Sequence, residues 1–163
     1  MGVLCAVLLC VVGCSTVTMQ SAKDADAVHK INRLYIFIKC GEIKQSTMMN
    51  NLASDLTNCF SNQPVMAKIT VTSPLNLDPK VYERQVKEFA PDSVLIISVA
   101  ASVVDPYGGY PNITFDASLF DPGAPKMKWR ASIVNTGSTD AMERRMRKMA
   151  ESIINQLKLD GFL

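Results

Sequence analysis

The sequence predicts an α/β domain in the order β-α-β-α-β-β-β-α, a mixed five-stranded sheet with three helices. Segments with a two-residue apolar period alternate with segments whose apolar residues recur at helical spacing. The stretch 93–104 (SVLIISVAASVV) is apolar or small on both faces, as a strand in the middle of a sheet must be. Residues 140–159 place Met142, Met146, Met149, Ala150, Ile153 and Leu157 on one helical face.

The first strand spans 33–40. Leu34, Ile36, Ile38 and Cys40 share one face, Arg33, Tyr35, Phe37 and Lys39 the other, and Gly41 breaks it. Ser46 is placed to cap a helix over 46–60, whose positions Met49, Leu52, Leu56, Cys59 and Phe60 follow the 3.6 period. Ser61-Asn62-Gln63-Pro64 stops it. A strand over 65–72 points Ala67, Ile69 and Val71 one way. Asp78-Pro79 then supplies an N-cap acceptor and a proline at the first helical position. Tyr82, Val86 and Phe89 mark that helix's buried stripe, and Pro91 ends it.

Past the central strand, 105–111 (DPYGGYP) is a turn-rich loop. Strands 112–121 and 126–134 alternate cleanly, with Ile113, Phe115, Ala117 and Leu119 in one apolar set and Met127, Trp129, Ala131 and Ile133 in the other. Pro122-Gly123-Ala124-Pro125 joins them as a hairpin. Facing residues share a face, so the loop must hold an odd number of residues. A loop of 122–124 sets Asp116 opposite Arg130 and Ser118 opposite Lys128. In the last helix Asp140 with Glu143 imitates a capping box, and Gly161 stands just past the end. The opposite face carries Arg144, Arg145, Arg147 and Lys148.

The chain opens MGVLCAVLLCVVGC, with an unbroken apolar run over 3–12. Ten residues of helix reach about 15 Å, half of a ~30 Å hydrocarbon core, so the run has the length of a secretory h-region and not of a membrane span. Its ending, Val11-Val12-Gly13-Cys14, resembles the lipobox of bacterial lipoproteins. That resemblance implies cleavage before Cys14, acyl chains on its thiol and amine, and, with Ser15 in place of Asp, delivery to the periplasmic face of the outer membrane. The chain then divides into a signal peptide at 1–13, a lipidated cysteine and flexible tether at 14–30, and one α/β domain at 31–163. The tether reading rests on the polar, aperiodic composition of 15–29. Cleavage leaves Cys40 and Cys59. The intervening helix carries the chain about 20 Å back down the strand, so no disulfide is expected between them.

From Ile31 onward the order of elements comes with the stretches Leu119-Phe120-Asp121, Lys128-Trp129-Arg130 and Gln156-Leu157-Lys158-Leu159-Asp160-Gly161. Together these resemble a group of small periplasmic lipoproteins built like the N-terminal domain of TolB, a group that includes CsgG and LpoB. The resemblance implies a non-enzymatic binding or assembly domain, sometimes a ring-forming one.

Composition narrows the chemistry. With 163 residues, 48% hydrophobic and 20% charged, the chain is neither disordered nor a disulfide miniprotein. A formal charge of +2 argues no nucleic-acid partner. The single histidine, His29, lies in the tether, and no phosphate-loop, dinucleotide, zincin or CxxC motif is present, so no enzymatic activity, cofactor or metal is expected. Trp129 is expected in the core. The candidate binding surface is the basic set Lys126, Lys128, Arg130, Arg144, Arg145, Arg147 and Lys148, facing anionic headgroups, lipopolysaccharide or a polyanionic partner.

The expected function is thus a membrane-tethered binding or assembly factor with an envelope protein as partner. Three rivals accompany it. One is a lipid- or lipopolysaccharide-handling factor. A second is a homo-oligomeric, ring-forming secretion or polysaccharide-export subunit, which an exposed Tyr35–Phe37 strip would favour. The third is a periplasmic enzyme using the carboxylates Asp105, Asp116 and Asp121.

Overall fold

A computed structural model describes residues 16–25, 30–41, 45–72, 79–124 and 126–163. The signal segment, Cys14, His29 and Asp78 lie outside the described residues. The elements are β1 (Thr16–Lys23), β2 (Arg33–Lys39), α1 (Ser46–Ser61), β3 (Met66–Thr72), α2 (Pro79–Phe89), β4 (Ser93–Val103), β5 (Asn112–Phe120), β6 (Met127–Thr136) and α3 (Met142–Leu159). They build one mixed six-stranded sheet in the order β1-β6-β5-β4-β2-β3. The β3-β2-β4 half is parallel and the β4-β5-β6-β1 half antiparallel.

Every strand and helix expected from the periodicity is present, and β1 is added. This corrects the five-stranded reading and the tether reading together. Residues 16–23 pair antiparallel with β6 along their whole length, from Thr16↔Thr136 to Lys23↔Trp129. Only Val17 and Met19 of this strand pack against the core. Two apolar side chains are too few to raise a two-residue period above its polar neighbours; the free edge of β6 supplies what local pattern does not.

The core lies between one sheet face and the pair α1, α3. Leu34, Ile36, Ile38, Leu95, Ile97, Phe115, Leu119 and Ile133 meet Met49, Leu52, Leu56, Met146, Met149, Ile153 and Leu157, all of them fully buried. Trp129 is in this core as expected. α2 covers the other face over β2: Tyr35 meets Phe89 edge-on at 5.6 Å, and Phe37 meets Tyr82 at 5.9 Å. The exposed strip that would favour a ring-forming subunit is absent here: Tyr35 is fully buried, and Phe37 is half-buried under the helix.

Three local expectations are corrected. In the β5–β6 hairpin Asp116 faces Ser132 and Ser118 faces Arg130. The loop 121–126 holds an even number of residues, and the irregularity between Leu119 and Phe120 takes up the extra residue, Lys128, so Ile113 to Leu119 and Trp129 to Ile133 still point inward while Met127, expected with them, is exposed. Neither proposed side-chain cap forms: the N-caps are Gln45 for α1 and Ala141 for α3. Ser46 already lies inside α1, and Asp140 sits in the 3-10 turn Thr139–Ala141 that leads into α3. Gly161 does close α3, at φ +85°. Finally, β4 is central only as far as Ser98, which pairs with Lys39 at the end of β2; beyond it the strand pairs with β5 alone and 100–104 is exposed.

Cys40 and Cys59 are thiols, not a disulfide. Burial pushes the Cys59 thiol up, with Glu151 and Asp55 adding to the shift.

Candidate functional site

The basic set does not come together on one surface. Lys128 and Arg130 alternate with the inward-facing Trp129 and Ala131, so they stand on the sheet face away from α3. Lys126 pairs with Asp24 at 2.6 Å, Lys128 with Asp121, and Arg130 with Asp116 at 2.7 Å. The last contact runs diagonally across the strands, so the expected partners meet although the register differs. On the helical face Arg144 and Lys148 are exposed, and Arg147 approaches Asp55 of α1 at 3.9 Å. Burial pushes the Asp55 carboxyl up against the attraction of Arg147, with Glu151 and Glu143 raising it further.

Arg145 is a correction of a different kind: it is fully buried. Its Nε donates to Asn135 Oδ1 at 2.8 Å, its Nη1 to the carbonyls of Tyr110 (2.7 Å) and Gly137 (3.0 Å), and its Nη2 to the Asn135 carbonyl at 2.8 Å. Asn135 returns a bond from Nδ2 to the Arg145 carbonyl at 3.2 Å. Burial alone lowers the guanidinium pKa. The guanidinium therefore acts as a clamp, gathering carbonyls from β6, the turn before α3 and the β4–β5 loop. One signal in the sequence pointed here: Asn135 is in phase with the inward Ala131 and Ile133, and a polar residue on a core face calls for a buried partner.

The β4–β5 loop held by this clamp has an internal frame. Asp105 Oδ1 accepts from the backbone N–H of Tyr107 (2.9 Å) and of Gly109 (2.8 Å), and the Asp105 N–H donates to the Gly109 carbonyl at 2.9 Å. A Cβ on Gly109 would lie 2.1 Å from Thr139 Oγ1, so only glycine fits there. The frame leaves Tyr107 98% exposed at the tip. Asp105 is thus a turn former, while Asp116 in β5 pairs with Arg130 and Asp121, just past β5, with Lys128. The structure does not bring the three carboxylates together. Among the described residues no group of three or more His, Cys, Asp or Glu side chains is placed to hold a metal ion.

At the other end of the sheet an apolar cleft of about 580 Å³ opens between α2 and the β5–β6 turn. Phe37, Tyr82, Val86, Pro91 and Pro122 line it, and Glu83 and Lys87 stand on its rim. Ala90 ends α2 in the left-handed region at φ 47°, a conformation uncommon outside glycine, and leads the chain into Pro91 at the cleft wall. By register Ile96 lies beside Phe37, and Val94 lies between Tyr35 and Phe120 on the same sheet face, all half-buried except Tyr35. No local motif announced this cleft. It exists because α2 covers only part of the face, leaving apolar side chains at the helix margin.

No helix among the described residues is long and apolar enough to cross a membrane. No known protein family and no curated protein matches the chain. Among solved structures, a PelC dodecamer from Paraburkholderia phytofirmans is 14% identical, with 82% of this chain and 93% of that chain covered and a TM-score of 0.49. The lipoprotein GNA1162 from Neisseria meningitidis is 14% identical, with 78% and 98% covered and a TM-score of 0.46. Protein CT253 from Chlamydia trachomatis is 11% identical, with 80% and 96% covered and a TM-score of 0.44.

Proposed function

We propose that this chain is a lipid-anchored adaptor of the bacterial cell envelope, attached through Cys14 to the periplasmic face of the outer membrane and holding a protein partner there without chemistry of its own. The observation that carries the reading is the polarity of the sheet. Thr16, two residues after Cys14, enters β1 opposite Thr136, at the end of the sheet where the β4–β5 loop projects. The apolar cleft opens at the opposite end, beside Pro122. β6 joins the two ends over Met127–Thr136, about 30 Å at ~3.4 Å per residue. An anchor at one end thus holds the cleft away from the bilayer, facing the periplasm.

The cleft is apolar at its base and carries one acid and one base on its rim, which suits an apolar side chain of a protein partner flanked by polar groups. Acyl chains on the thiol and the amine of Cys14 make attachment stable where one chain is marginal, and confinement to the membrane raises the effective concentration of the domain for partners there.

The test combines anchor and cleft. Cells labelled with a fatty-acid analogue and fractionated are expected to yield labelled protein in the outer membrane, and Cys14→Ala unlabelled protein in the soluble periplasm. A photo-crosslinking residue at Val86 is expected to form a discrete protein adduct that Cys14→Ala weakens. Unlabelled, soluble wild-type protein overturns the anchor; a crosslink pattern identical to that from an exposed control at Arg130 overturns the cleft.

A further inference from the structure

We propose that the tip of the β4–β5 hairpin seats in the bilayer surface beside the lipid anchor, with Tyr107 leading at the boundary between headgroups and upper acyl chains and Val103 and Val104 behind it at the same boundary. The inference rests on the anchor reading above and adds a second, protein-borne contact with the same membrane.

Register places the two contacts side by side. Val103 pairs with Asn112, Asn112 with Thr136 and Thr136 with Thr16, so all four lie in one row across the end of the sheet. Three strand spacings separate Val103 from Thr16, about 14 Å at ~4.8 Å each. Cys14 precedes Thr16 by two residues, a reach of at most about 7 Å. Two residues of chain beyond Thr16 therefore reach to within roughly 20 Å of Val103, at the base of the hairpin tip.

The hairpin also projects. β2 ends at Lys39 opposite Ser98, while β4 continues to Val103, five residues further and about 15 Å beyond the parallel half of the sheet. Its surface is apolar where water would otherwise face it: Tyr107 is 98% exposed, Val103 57% and Val104 56%. Of the seven large apolar side chains exposed among the described residues, three fall within the five residues 103–107 at the end of this hairpin, a grouping that a membrane contact explains.

The tip is built in advance. The Asp105 bonds to the backbone of Tyr107 and Gly109, the fit of Gly109 against Thr139 and the Arg145 bond to the Tyr110 carbonyl hold it in one shape, so insertion orders no loop. Tyrosine has an apolar ring and a polar tip, the combination that suits the membrane–water boundary. Charge does not drive the contact: at the start of α3, at this end, exposed Arg144 is accompanied by exposed Asp140 and Glu143. Salt is therefore expected to leave it unchanged.

Tryptophan fluorescence in vesicles tests this. The acylated protein has one tryptophan, Trp129, 1% exposed in the core, which serves as the silent background. Acylated Tyr107→Trp in phosphatidylethanolamine–phosphatidylglycerol vesicles is expected to show a blue-shifted emission and quenching by brominated acyl chains, unchanged in high salt. Wild-type protein and Pro122→Trp, at the far end, are expected to show no quenching. Unshifted, unquenched emission from Tyr107→Trp on protein that mass spectrometry shows to be acylated and that floats with the vesicles overturns the tip contact and leaves the anchor standing. Protein purified from the outer membrane without acyl chains overturns both.

Discussion

The indole N–H of Trp129 donates to the Asp160 carboxylate at 2.6 Å, tying the centre of the core to the residue that follows the last helix. The same oxygen accepts from Ser21 of β1 at 3.0 Å and from Gln156 of α3 at 3.1 Å, and the Asp160 carbonyl accepts from Lys23 at 3.0 Å. One carboxylate thus joins β1, β6 and α3. Burial opposes its ionisation, but the bonds from Trp129, Gln156 and Ser21, with the charge of Lys23, outweigh burial and hold the Asp160 pKa below the ordinary carboxylate value.

A depressed folded-state pKa contributes stability that is present above the unfolded value, near 4, and is lost as pH falls through the folded value. Asp160→Asn is therefore expected to lower stability by about 1–2 kcal/mol at neutral pH. The gap between the melting temperatures of wild type and variant is expected to narrow as pH is lowered from about 5 to about 2. Thermal unfolding across that range checks it; a gap independent of pH contradicts the role given to the charge.

Strand β1 is part of the folded domain. A fragment beginning at Ser15 is expected to unfold at a higher temperature than one beginning at Asp24, and the shorter fragment to associate through the uncovered edge of β6. A flexible tether would leave both fragments with the same melting temperature and the same sedimentation behaviour.

Arg145 is expected to be irreplaceable by lysine. Arg145→Lys keeps the charge but not the planar fork that reaches Asn135, Tyr110 and Gly137 together, and Arg145→Met leaves those carbonyls unsatisfied. Both are expected to cost about 3 kcal/mol or more, against under about 0.5 kcal/mol for the exposed neighbour change Arg144→Met. Chemical denaturation of the three variants checks the order.

The thiols of Cys40 and Cys59 are expected to resist alkylation in the folded protein and to react fully once it is denatured, without any reductant. Cys40 is buried, and burial keeps Cys59 protonated at neutral pH. Intact mass before and after denaturation reads this directly; masking that only a reductant relieves would mean a disulfide.

What was legible in the sequence is what neighbouring residues determine. The alternation of Leu34, Ile36 and Ile38, the helical stripe from Met142 to Leu157 and the two-sided apolar run of β4 each carry their own geometry, because the side-chain period is a property of the local backbone. Parity survived even where the hairpin register shifted, since the bulge at Lys128 restored the inward faces that burial requires. The candidate site was less legible for a physical reason. The cleft is the margin left by an incomplete helix cover, and the row from Val103 to Thr16 crosses four strands from opposite ends of the chain. Likewise Arg145 reads as one more exposed base until carbonyls at 110, 135 and 137 close around it, and residues 16–23 read as polar tether until β6 presents an unpaired edge. Local periodicity, in short, determined five of the six strands and the three helices; tertiary structure decided that β1 is a strand and which polar groups find buried partners, because those partners lie on other elements.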